Sequence, residues 1–382
     1  MLPSQRALFD MPEHVCYLNA ASYGPLPHAV KQAGEVGVAR KSQPWAIPSD
    51  DARRQFERAR AAAARLINAE PDDVALISSV SYGIATAGKV LSVPRGSRVL
   101  LLENDHSSPV LEWLSRADAQ GFSVEVVKQP DDGDWTAALL GAIERPGAAP
   151  VGMASISSVH WSDGGAVDLE RVSAELKKHG AHFVIDATHG AGVMRIDVRK
   201  LDPDFLVFPT YKWVLGPYGR AFLYVARRCQ NGSSIEQAAS QRRAISSERA
   251  PYMRDLAYVD TARRYDMGER DHFITLEMAS VGMEMVAAWG QDAIIERLRM
   301  LTDRLAEGLG NSGVLVSEPR VRAPHILSLR FPAGMPDNLV ARLAAENVYV
   351  APRLGRMRIS PHVYNDEADV DRFLTTFRKL AA

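Results

Sequence analysis

The chain has 382 residues, of which 46% are hydrophobic and 24% charged, and its formal net charge is −1. This length suits two domains, or one large domain with a smaller satellite, and the composition is typical of a soluble globular protein. The near-neutral charge balance argues against nucleic acid or an anionic membrane as the main partner.

Membrane and metal signals are equally weak in the sequence. No apolar run reaches membrane-spanning length, and the N-terminus lacks the apolar core of a signal peptide. The two cysteines, Cys16 and Cys229, are far apart and in no metal-ligand spacing, which argues against a disulfide framework. We therefore expect a cytoplasmic protein without a metal site or a membrane partner.

Short β-type runs alternate with helical patterns from about residue 50 to residue 226. Near-continuous apolar strands in this alternation predict a mostly parallel sheet with helices on both faces. The predicted strands, in chain order, span residues 74–78, 98–102, 122–127, 151–156, 182–185, 206–208 and 221–225. The predicted helices among them span residues 81–90, 109–120 and 168–179.

The C-terminal third has a different pattern. Residues 228–254 are polar and punctuated, which fits either a mobile loop or a plain connection, and residues 276–309 are strongly helical. Strand-like runs at 326–331 and 348–350 enclose a helix at 338–347, and a last helix covers 367–380. We expect an N-terminal segment (1–25) that contributes to the site and the small domain, a large domain (26–260) and a small C-terminal α/β domain (261–382).

Polar clusters follow the predicted strands, where ligands bind in parallel sheets. Residues 78–83 begin a helix with small hydroxyl side chains, which suit an anion cradle or an ordinary serine cap. Residues 103–108 include His106, which can stack on a flat cofactor, move protons, or simply be satisfied at a helix start. Residues 157–165 include Trp161 and suit a pocket edge or an Asp-Gly-Gly turn.

Two further clusters indicate a specific chemistry. Asp186 ends an apolar run. Burying an acid there is costly unless the carboxylate is paired, for example with a protonated pyridine nitrogen, or caps a helix. Lys212 lies just after another apolar stretch, in the aromatic Gly-Pro loop 208–219. Together they indicate a pyridoxal phosphate (PLP) enzyme, in which the lysine forms a Schiff base and the acid keeps the ring an electron sink. The alternative for Lys212 is a solvated surface lysine.

Arg358 lies in a short strand-like run of the C-terminal region. A bidentate grip on a substrate carboxylate is a natural role for arginine there, and a solvated basic stretch is the alternative. A nucleotide-binding α/β protein has no support, because no Walker or G-x-G-x-x-G loop follows the first strand.

The chain resembles the class V aminotransferase family of fold type I PLP enzymes, which includes cysteine desulfurases, selenocysteine lyases, kynureninases and isopenicillin N epimerases. The resemblance starts at residues 17–27 (YLNAASYGPLP) and continues through the clusters above to residues 358–365 (RISPHVYN). It implies a large domain with a mostly parallel seven-stranded sheet and helices on both faces, a small C-terminal α/β domain, and a homodimer.

The resemblance also implies roles for individual residues. Lys212 would be the Schiff-base lysine, Asp186 the partner of the pyridine nitrogen, and His106 the ring-stacking histidine, and these three would be catalytic. It also implies contacts of His189 with the phenolate oxygen, of the Val80 backbone and Ser81 with the phosphate, and of Arg358 with the substrate carboxylate. In addition, we expect Tyr211 to reach the phosphate, Trp161 to contact the cofactor, and Tyr23 and Asn19 to contact the substrate.

The departures from the family pattern bear on the reaction. No cysteine precedes Arg358 in the segment where desulfurases carry their persulfide nucleophile. Tyr211 stands where many members have His, and Trp161 where desulfurases tend to have Asn. Gly268-Glu269 replaces the Gly-Thr pair with which a neighbouring subunit usually touches the phosphate. A persulfide-forming cysteine desulfurase is therefore not the expected activity.

We expect a PLP-dependent enzyme that acts on an amino acid or amine through a Lys212 Schiff base and a quinonoid intermediate. A lyase-type outcome that breaks a C–S or C–C bond is favoured, and an epimerase, racemase or aminotransferase of the same family is the alternative. The non-enzyme alternative is a PLP-binding protein without turnover, against which the retention of Lys212, Asp186 and His106 argues.

Overall fold

The computed structural model describes residues 2–245, 255–270 and 272–381. The strands are β1 (Cys16–Tyr17), β2 (Val74–Ile77), β3 (Arg98–Leu102), β4 (Ser123–Val127), β5 (Val151–Ser157), β6 (His182–Asp186), β7 (Phe205–Pro209), β8 (Ala221–Val225), β9 (Leu315–Val316), β10 (Leu327–Arg330), β11 (Val348–Tyr349), β12 (Ala351–Arg353) and β13 (Arg356–Ile359). The α-helices are α1 (His28–Ser42), α2 (Asp51–Leu66), α3 (Val80–Val90), α4 (Ser107–Gln120), α5 (Trp135–Ile143), α6 (Leu169–Lys178), α7 (Val198–Leu201), α8 (Thr275–Trp289), α9 (Gln291–Gly308), α10 (Leu339–Ala345) and α11 (Glu367–Ala381).

A seven-stranded sheet in the order β2-β8-β7-β6-β5-β3-β4 forms the centre of the molecule. Strands β3 to β7 pair in parallel, whereas β8 is antiparallel to both of its neighbours, β7 and β2. The prediction of a mostly parallel seven-stranded sheet is therefore confirmed. Since β8 alone is reversed, the residues before β8 lie at the same edge as the residues after the other six strands.

Helices cover both faces of this sheet. Successive strand residues alternate between two separate apolar cores, as Leu100 and Leu102 pack in one while Val99 and Leu101 pack in the other. A strand whose side chains are buried on both of its faces must have apolar neighbours on each side of the sheet. The two-faced cover predicted from the apolar strands is confirmed.

The hydrophobic pattern did not predict helices α1 and α2. Helix α1 buries only Val30, Gly34 and Gly37, and α2 buries several alanines, so neither shows a stripe of large apolar residues. The stretch 276–309, read as one strongly helical region, is two helices, α8 and α9. They are separated by Gly290, whose φ of +81° ends the first helix.

The C-terminal strands form a second, antiparallel sheet in the order β12-β13-β10-β9. Strand β1 pairs in parallel with β11, so the N-terminal segment joins the C-terminal elements. The division at residues 25 and 260 remains our proposal. Within the polar stretch 228–254, short 3-10 turns occupy Arg227–Cys229 and Ala239–Gln241, and residues 246–254 lie outside the described residues.

Across the described ranges, none of the helices combines the length and the apolar character needed to cross a bilayer.

Candidate active site

One cleft of about 190 Å³ lies at the edge of the central sheet where β2, β5, β6 and β7 end and β8 begins. This is the position at which ligands bind in open α/β sheets. The cleft is lined by Ser78, Ser79, Val80, Ser81, His106, Ser108, Ser157, Trp161, Asp186, Thr188, His189, Pro209, Tyr211, Lys212, Tyr218, Gly219 and Arg220. The sequence-predicted cofactor residues are thus brought together in one place.

Lys212 lies in the loop after β7, with 8% of its surface exposed. The loop is tied to itself, because Thr210 Oγ1 donates to the Pro217 carbonyl at 2.6 Å and the Gly216 amide donates to the Thr210 carbonyl at 2.8 Å. Burial, and then the positive charge of Arg358, lower the pKa of Lys212 to about 7. A substantial fraction of the amine is therefore uncharged, and nucleophilic, at neutral pH.

Asp186 is the last residue of β6 and is buried. Its Oδ1 accepts a hydrogen bond from the Thr188 amide at 2.9 Å and another from the Thr188 hydroxyl. Burial raises the pKa of this carboxyl above its usual value. Within the described residues, no hydrogen bond engages Oδ2, so one oxygen remains for a donor in the cleft.

His189 is held as a neutral ring of defined tautomer. The indole Nε1–H of Trp213 donates to His189 Nδ1 at 3.0 Å, so the ring proton resides on Nε2. Burial lowers the pKa of His189 well below its usual value, which keeps the ring uncharged. Nε2 lies 3.3 Å from Lys212 Nζ, and its N–H therefore faces the lysine.

Two more buried histidines hold His189 and Trp213 in position. His325 donates from Nε2 to the His189 carbonyl at 2.7 Å, and His362 lies with Nε2 3.0 Å from the Trp213 carbonyl. The His325 ring also meets the Trp213 indole edge-on, with centroids 4.4 Å apart. Their positions far along the chain explain why no local sequence signal indicated this support.

His106 and Trp161 form one wall of the cleft. The two rings stand at 89° with centroids 6.2 Å apart, and Trp161 Nε1 donates to the Asn104 carbonyl at 2.7 Å, which fixes the indole. His106 is exposed at the start of α4. Both residues therefore line the same cleft as Lys212 and Asp186.

The N-terminus of α3 also lines the cleft. Ser79 caps this helix by accepting from the Tyr82 amide at 3.2 Å, while the first amides of the helix, at Val80 and Ser81, have no partner within the helix. The Ser81 hydroxyl lies 2.9 Å from that of Ser108. Amides and hydroxyls at a helix N-terminus make an anion-binding surface.

Arg220 and Tyr218 also line this cleft, although the sequence did not single them out. Arg220 is buried, and its Nε donates to Thr275 Oγ1 at 2.9 Å. Tyr218 stacks on Tyr211 with centroids 3.9 Å apart. The sequence did not indicate Arg220 because this residue precedes a strand. The reversal of β8 brings it to the edge where the other strands end.

The predicted substrate residues lie beside the cleft, outside its lining set. Arg358 is 1% exposed; its Nη1 donates to the Trp161 carbonyl at 2.6 Å and its Nη2 to Ser22 Oγ at 2.9 Å. Burial, and then the charge of Arg353, lower the pKa of Arg358 to about 9. Asn19 accepts from the Ser22 hydroxyl at 2.8 Å, and Tyr23 is 59% exposed.

No cysteine is among the described residues that line the cleft. Cys16 donates from Sγ to the Asp369 carbonyl at 3.3 Å, and the Sγ of Cys229 lies 3.5 Å from Asp204 Oδ1. Burial raises the pKa of both thiols, that of Cys229 to about 12. Thiols in such surroundings are poor nucleophiles.

The chain matches one family model and is similar to several known proteins. The family model described as aminotransferase class-V matches residues 46–373. A probable cysteine desulfurase of Pyrococcus abyssi is 26% identical over 357 residues, which cover 87% of this chain and 84% of that protein.

Solved structures share the fold. An apo cysteine desulfurase from Thermococcus onnurineus superimposes with a TM-score of 0.85 at 21% identity, over 98% of this chain and 97% of that one. The cystine C–S lyase C-DES, in complex with its product cysteine persulfide, gives 0.84 at 16% identity, over 96% and 98%. A C-DES variant carries glycine covalently linked to its PLP cofactor.

Proposed function

The chain belongs to the class V aminotransferase family of PLP-dependent enzymes, and from that premise we propose that it is a lyase that breaks a C–S or C–C bond of an amino acid or amine without a persulfide cysteine. The observation that carries the proposal is the cleft in which Lys212, Asp186 and His189 meet at the N-terminus of α3, with no cysteine among its described lining residues.

The donor set of the cleft fits PLP. A neutral amine, a buried carboxyl with one oxygen available and a helix N-terminus match the aldehyde, the ring nitrogen and the phosphate of this cofactor. When bound, PLP supplies an electron-accepting ring to which a substrate amine can be joined. Arg220, buried in the cleft wall, adds positive charge to the site.

Lys212 has two tasks in this proposal. Its neutral Nζ would hold the cofactor through a covalent bond, and the same atom, when free, would accept the proton of the substrate Cα. The pKa of about 7 suits both tasks, because the amine is neither fully protonated nor weakly basic at neutral pH.

Asp186 and His189 set the electronic state of the ring. The Asp186 carboxylate would hold a proton on the ring nitrogen, and this ion pair would offset the cost of burying the acid. The Nε2–H of His189 donates to the phenolate oxygen, because the Trp213 indole occupies Nδ1 and leaves only Nε2 protonated. His106, at the start of α4, would stack on the ring.

The missing persulfide nucleophile is what favours a direct lyase reaction. The segment before Arg358 is the tight β12–β13 hairpin, whose turn consists of Leu354 and Gly355, both with positive φ. This hairpin contains no cysteine. Sulfur would then leave as a small-molecule product, since no thiol of the chain faces the substrate position to receive it.

The reaction is tested with a panel of amino acids and amines, including cysteine and cystine, whose products are identified by mass spectrometry. We expect an α-keto acid or unsaturated product together with the released fragment, and the Cys16→Ala/Cys229→Ala double variant should turn over like wild type. A racemised or transaminated product without bond cleavage would exclude the lyase. Loss of turnover in a folded double variant would restore the persulfide route.

A further inference from the structure

Two arginines converge on one oxygen atom beside the cleft. Arg353 Nη2 donates to Ser22 Oγ at 2.8 Å, and Arg358 Nη2 donates to the same atom at 2.9 Å. The Ser22 hydroxyl donates in turn to Asn19 Oδ1 at 2.8 Å. The serine is thereby oriented so that its lone pairs face both guanidinium groups.

The β12–β13 hairpin explains why two residues five apart in sequence meet. Its register pairs Arg353 with Arg356 and Ala351 with Arg358 across a two-residue turn. Arg358 therefore lies opposite the residue two positions before Arg353, on the neighbouring strand. Both strands are ordered by this pairing, so the two side chains extend from a stiff support.

Within the described residues, neither the Arg353 nor the Arg358 guanidinium group has a carboxylate partner. Burial lowers the pKa of Arg353 and, together with the Arg353 charge, that of Arg358. Only the tyrosines Tyr23 and Tyr17 act in the opposite direction on these two groups. Neighbouring guanidinium groups that share one neutral hydroxyl are suited to receive anions.

Arg353 and Arg358 adjoin the wall of the cleft that holds Lys212. Arg358 Nη1 donates to the carbonyl of Trp161, and Arg353 Cζ stands 5.8 Å from the centroid of the same indole. Trp161 lines the cleft. The charges of both arginines also act on Lys212 Nζ, whose pKa they lower. A molecule joined at the lysine position thus has both guanidinium groups within reach.

We propose that Arg353 binds a second carboxylate of the substrate, so that the enzyme acts on an amino acid that carries a further acid group on its side chain. Arg358 binds the α-carboxylate and Arg353 the distal one, with Ser22 between them. This inference rests on the proposed function, since it names the substrate class of the same site.

The structure also defines the competing arrangement, in which both arginines grip one carboxylate. The two arrangements differ in what Arg353 discriminates. If Arg353 binds a second acid group, its loss affects only ligands that have two carboxylates. If both arginines bind the α-carboxylate, its loss weakens every carboxylate ligand.

The test measures binding, not turnover, with amine-free acids that cannot displace Lys212. Isothermal calorimetry on the PLP-loaded protein compares succinate and glutarate with butyrate and pentanoate, the monocarboxylates of equal length, for wild type and the variants Arg353→Gln, Arg353→Lys and Arg358→Gln. Arg356→Gln is the matched control, because it removes one positive charge from the same hairpin at a residue that lines a different groove, beside Asp131 and Glu318.

We expect wild type to bind at least one dicarboxylate about 10-fold or more tighter than the monocarboxylate of equal length, as one additional charge-assisted pair provides. Arg353→Gln should abolish this preference while leaving monocarboxylate binding within about twofold, and Arg353→Lys should retain part of it. Arg358→Gln should weaken both ligand types, and Arg356→Gln neither.

Equal affinity of wild type for the two ligand types would overturn the inference, and so would an Arg353→Gln variant that weakens both types alike. Because the ligands have no amine and the readout is heat, either result leaves the lyase proposal standing. Conversely, a failure of the amino-acid panel to show bond cleavage leaves the dicarboxylate preference measurable. Arg353→Lys keeps the test valid if Arg353→Gln does not fold.

Discussion

At the scale of the residue, the reactivity of Lys212 comes from its surroundings. The side chain is 8% exposed, and burial is the largest cause of its lowered pKa, followed by the charge of Arg358. Asp186 acts in the opposite direction but does not cancel these effects. The lysine is therefore reactive at a pH where an exposed lysine is protonated.

This yields a pH prediction for cofactor attachment. Only the neutral amine attacks the PLP aldehyde, so the rate of attachment to the apo protein should rise with pH through a midpoint near 7. Arg353→Gln should move this midpoint upward, since the Arg353 charge contributes to the lowered pKa. Stopped-flow absorbance of apo protein mixed with PLP measures the rate at each pH.

A midpoint close to that of an ordinary lysine, about 10.4, would contradict this account of Lys212. An unchanged midpoint in the Arg353→Gln variant would show that the arginine charge does not act on the amine.

Single residues also show what the sequence can and cannot predict. Asp186, His189 and Lys212 were identified because each follows a buried strand, and a parallel sheet brings strand ends together. The shared hydroxyl of Ser22 joins residues more than 300 positions apart. Contacts of that kind depend on tertiary packing, which no local pattern of side chains encodes.

At the scale of the secondary-structure element, the continuity of apolar residues along the chain determined which elements were predicted. The predicted bounds of β3 and β8 agree with the structure, because both strands are buried along their whole length. Helices α1 and α2 were missed since neither buries a stripe of large apolar residues. The reversal of β8 could not be predicted either, as strand direction leaves no mark on composition.

The N-terminal segment packs tightly against the loop that carries Lys212. The Gly24 amide donates to the Tyr211 carbonyl at 3.0 Å, and a Cβ added at Gly24 would lie 2.1 Å from the Lys212 carbonyl oxygen. We predict that Gly24→Ala lowers the free energy of unfolding by about 1–3 kcal/mol, as overpacking does. It should also weaken PLP binding, because the loop that carries Lys212 must shift.

Urea denaturation and a PLP titration of the apo protein measure these two effects. Gly141→Ala is the matched control: Gly141 lies in α5, where an added Cβ meets nothing within 4 Å, and it should be as stable as wild type or up to about 1 kcal/mol more so. If Gly24→Ala instead binds PLP and unfolds like wild type, the contact between Gly24 and the loop does not position Lys212.

At the scale of the whole molecule, the sheet order assembles the site from distant parts of the sequence. Segments that follow β2, β3, β5, β6 and β7, and the one that precedes β8, all contribute to one cleft. The likeness to structures at 21% and 16% identity shows that this fold persists while side chains change. Function therefore has to be argued from the residues of the cleft.

We predict that the protein is a homodimer, as the family resemblance implies. Several large apolar side chains are exposed on the single chain, among them Trp45 at 82%, Leu111 at 59% and Val38 at 57%, and a second copy would cover such surface. Light scattering should give about twice the chain mass of 41.9 kDa. A PLP-loaded protein that remains at the monomer mass would contradict this prediction.

The central claim is that Lys212 holds the cofactor in this cleft, and one measurement tests it most directly. The PLP-loaded protein is reduced with borohydride, digested, and its peptides are analysed by mass spectrometry. We expect the pyridoxyl group on Lys212 in wild type and in the Lys200→Ala control, a lysine outside the cleft, and no labelled peptide from Lys212→Ala. A label on another lysine in wild type, or a specifically labelled Lys212→Ala protein, would contradict the account.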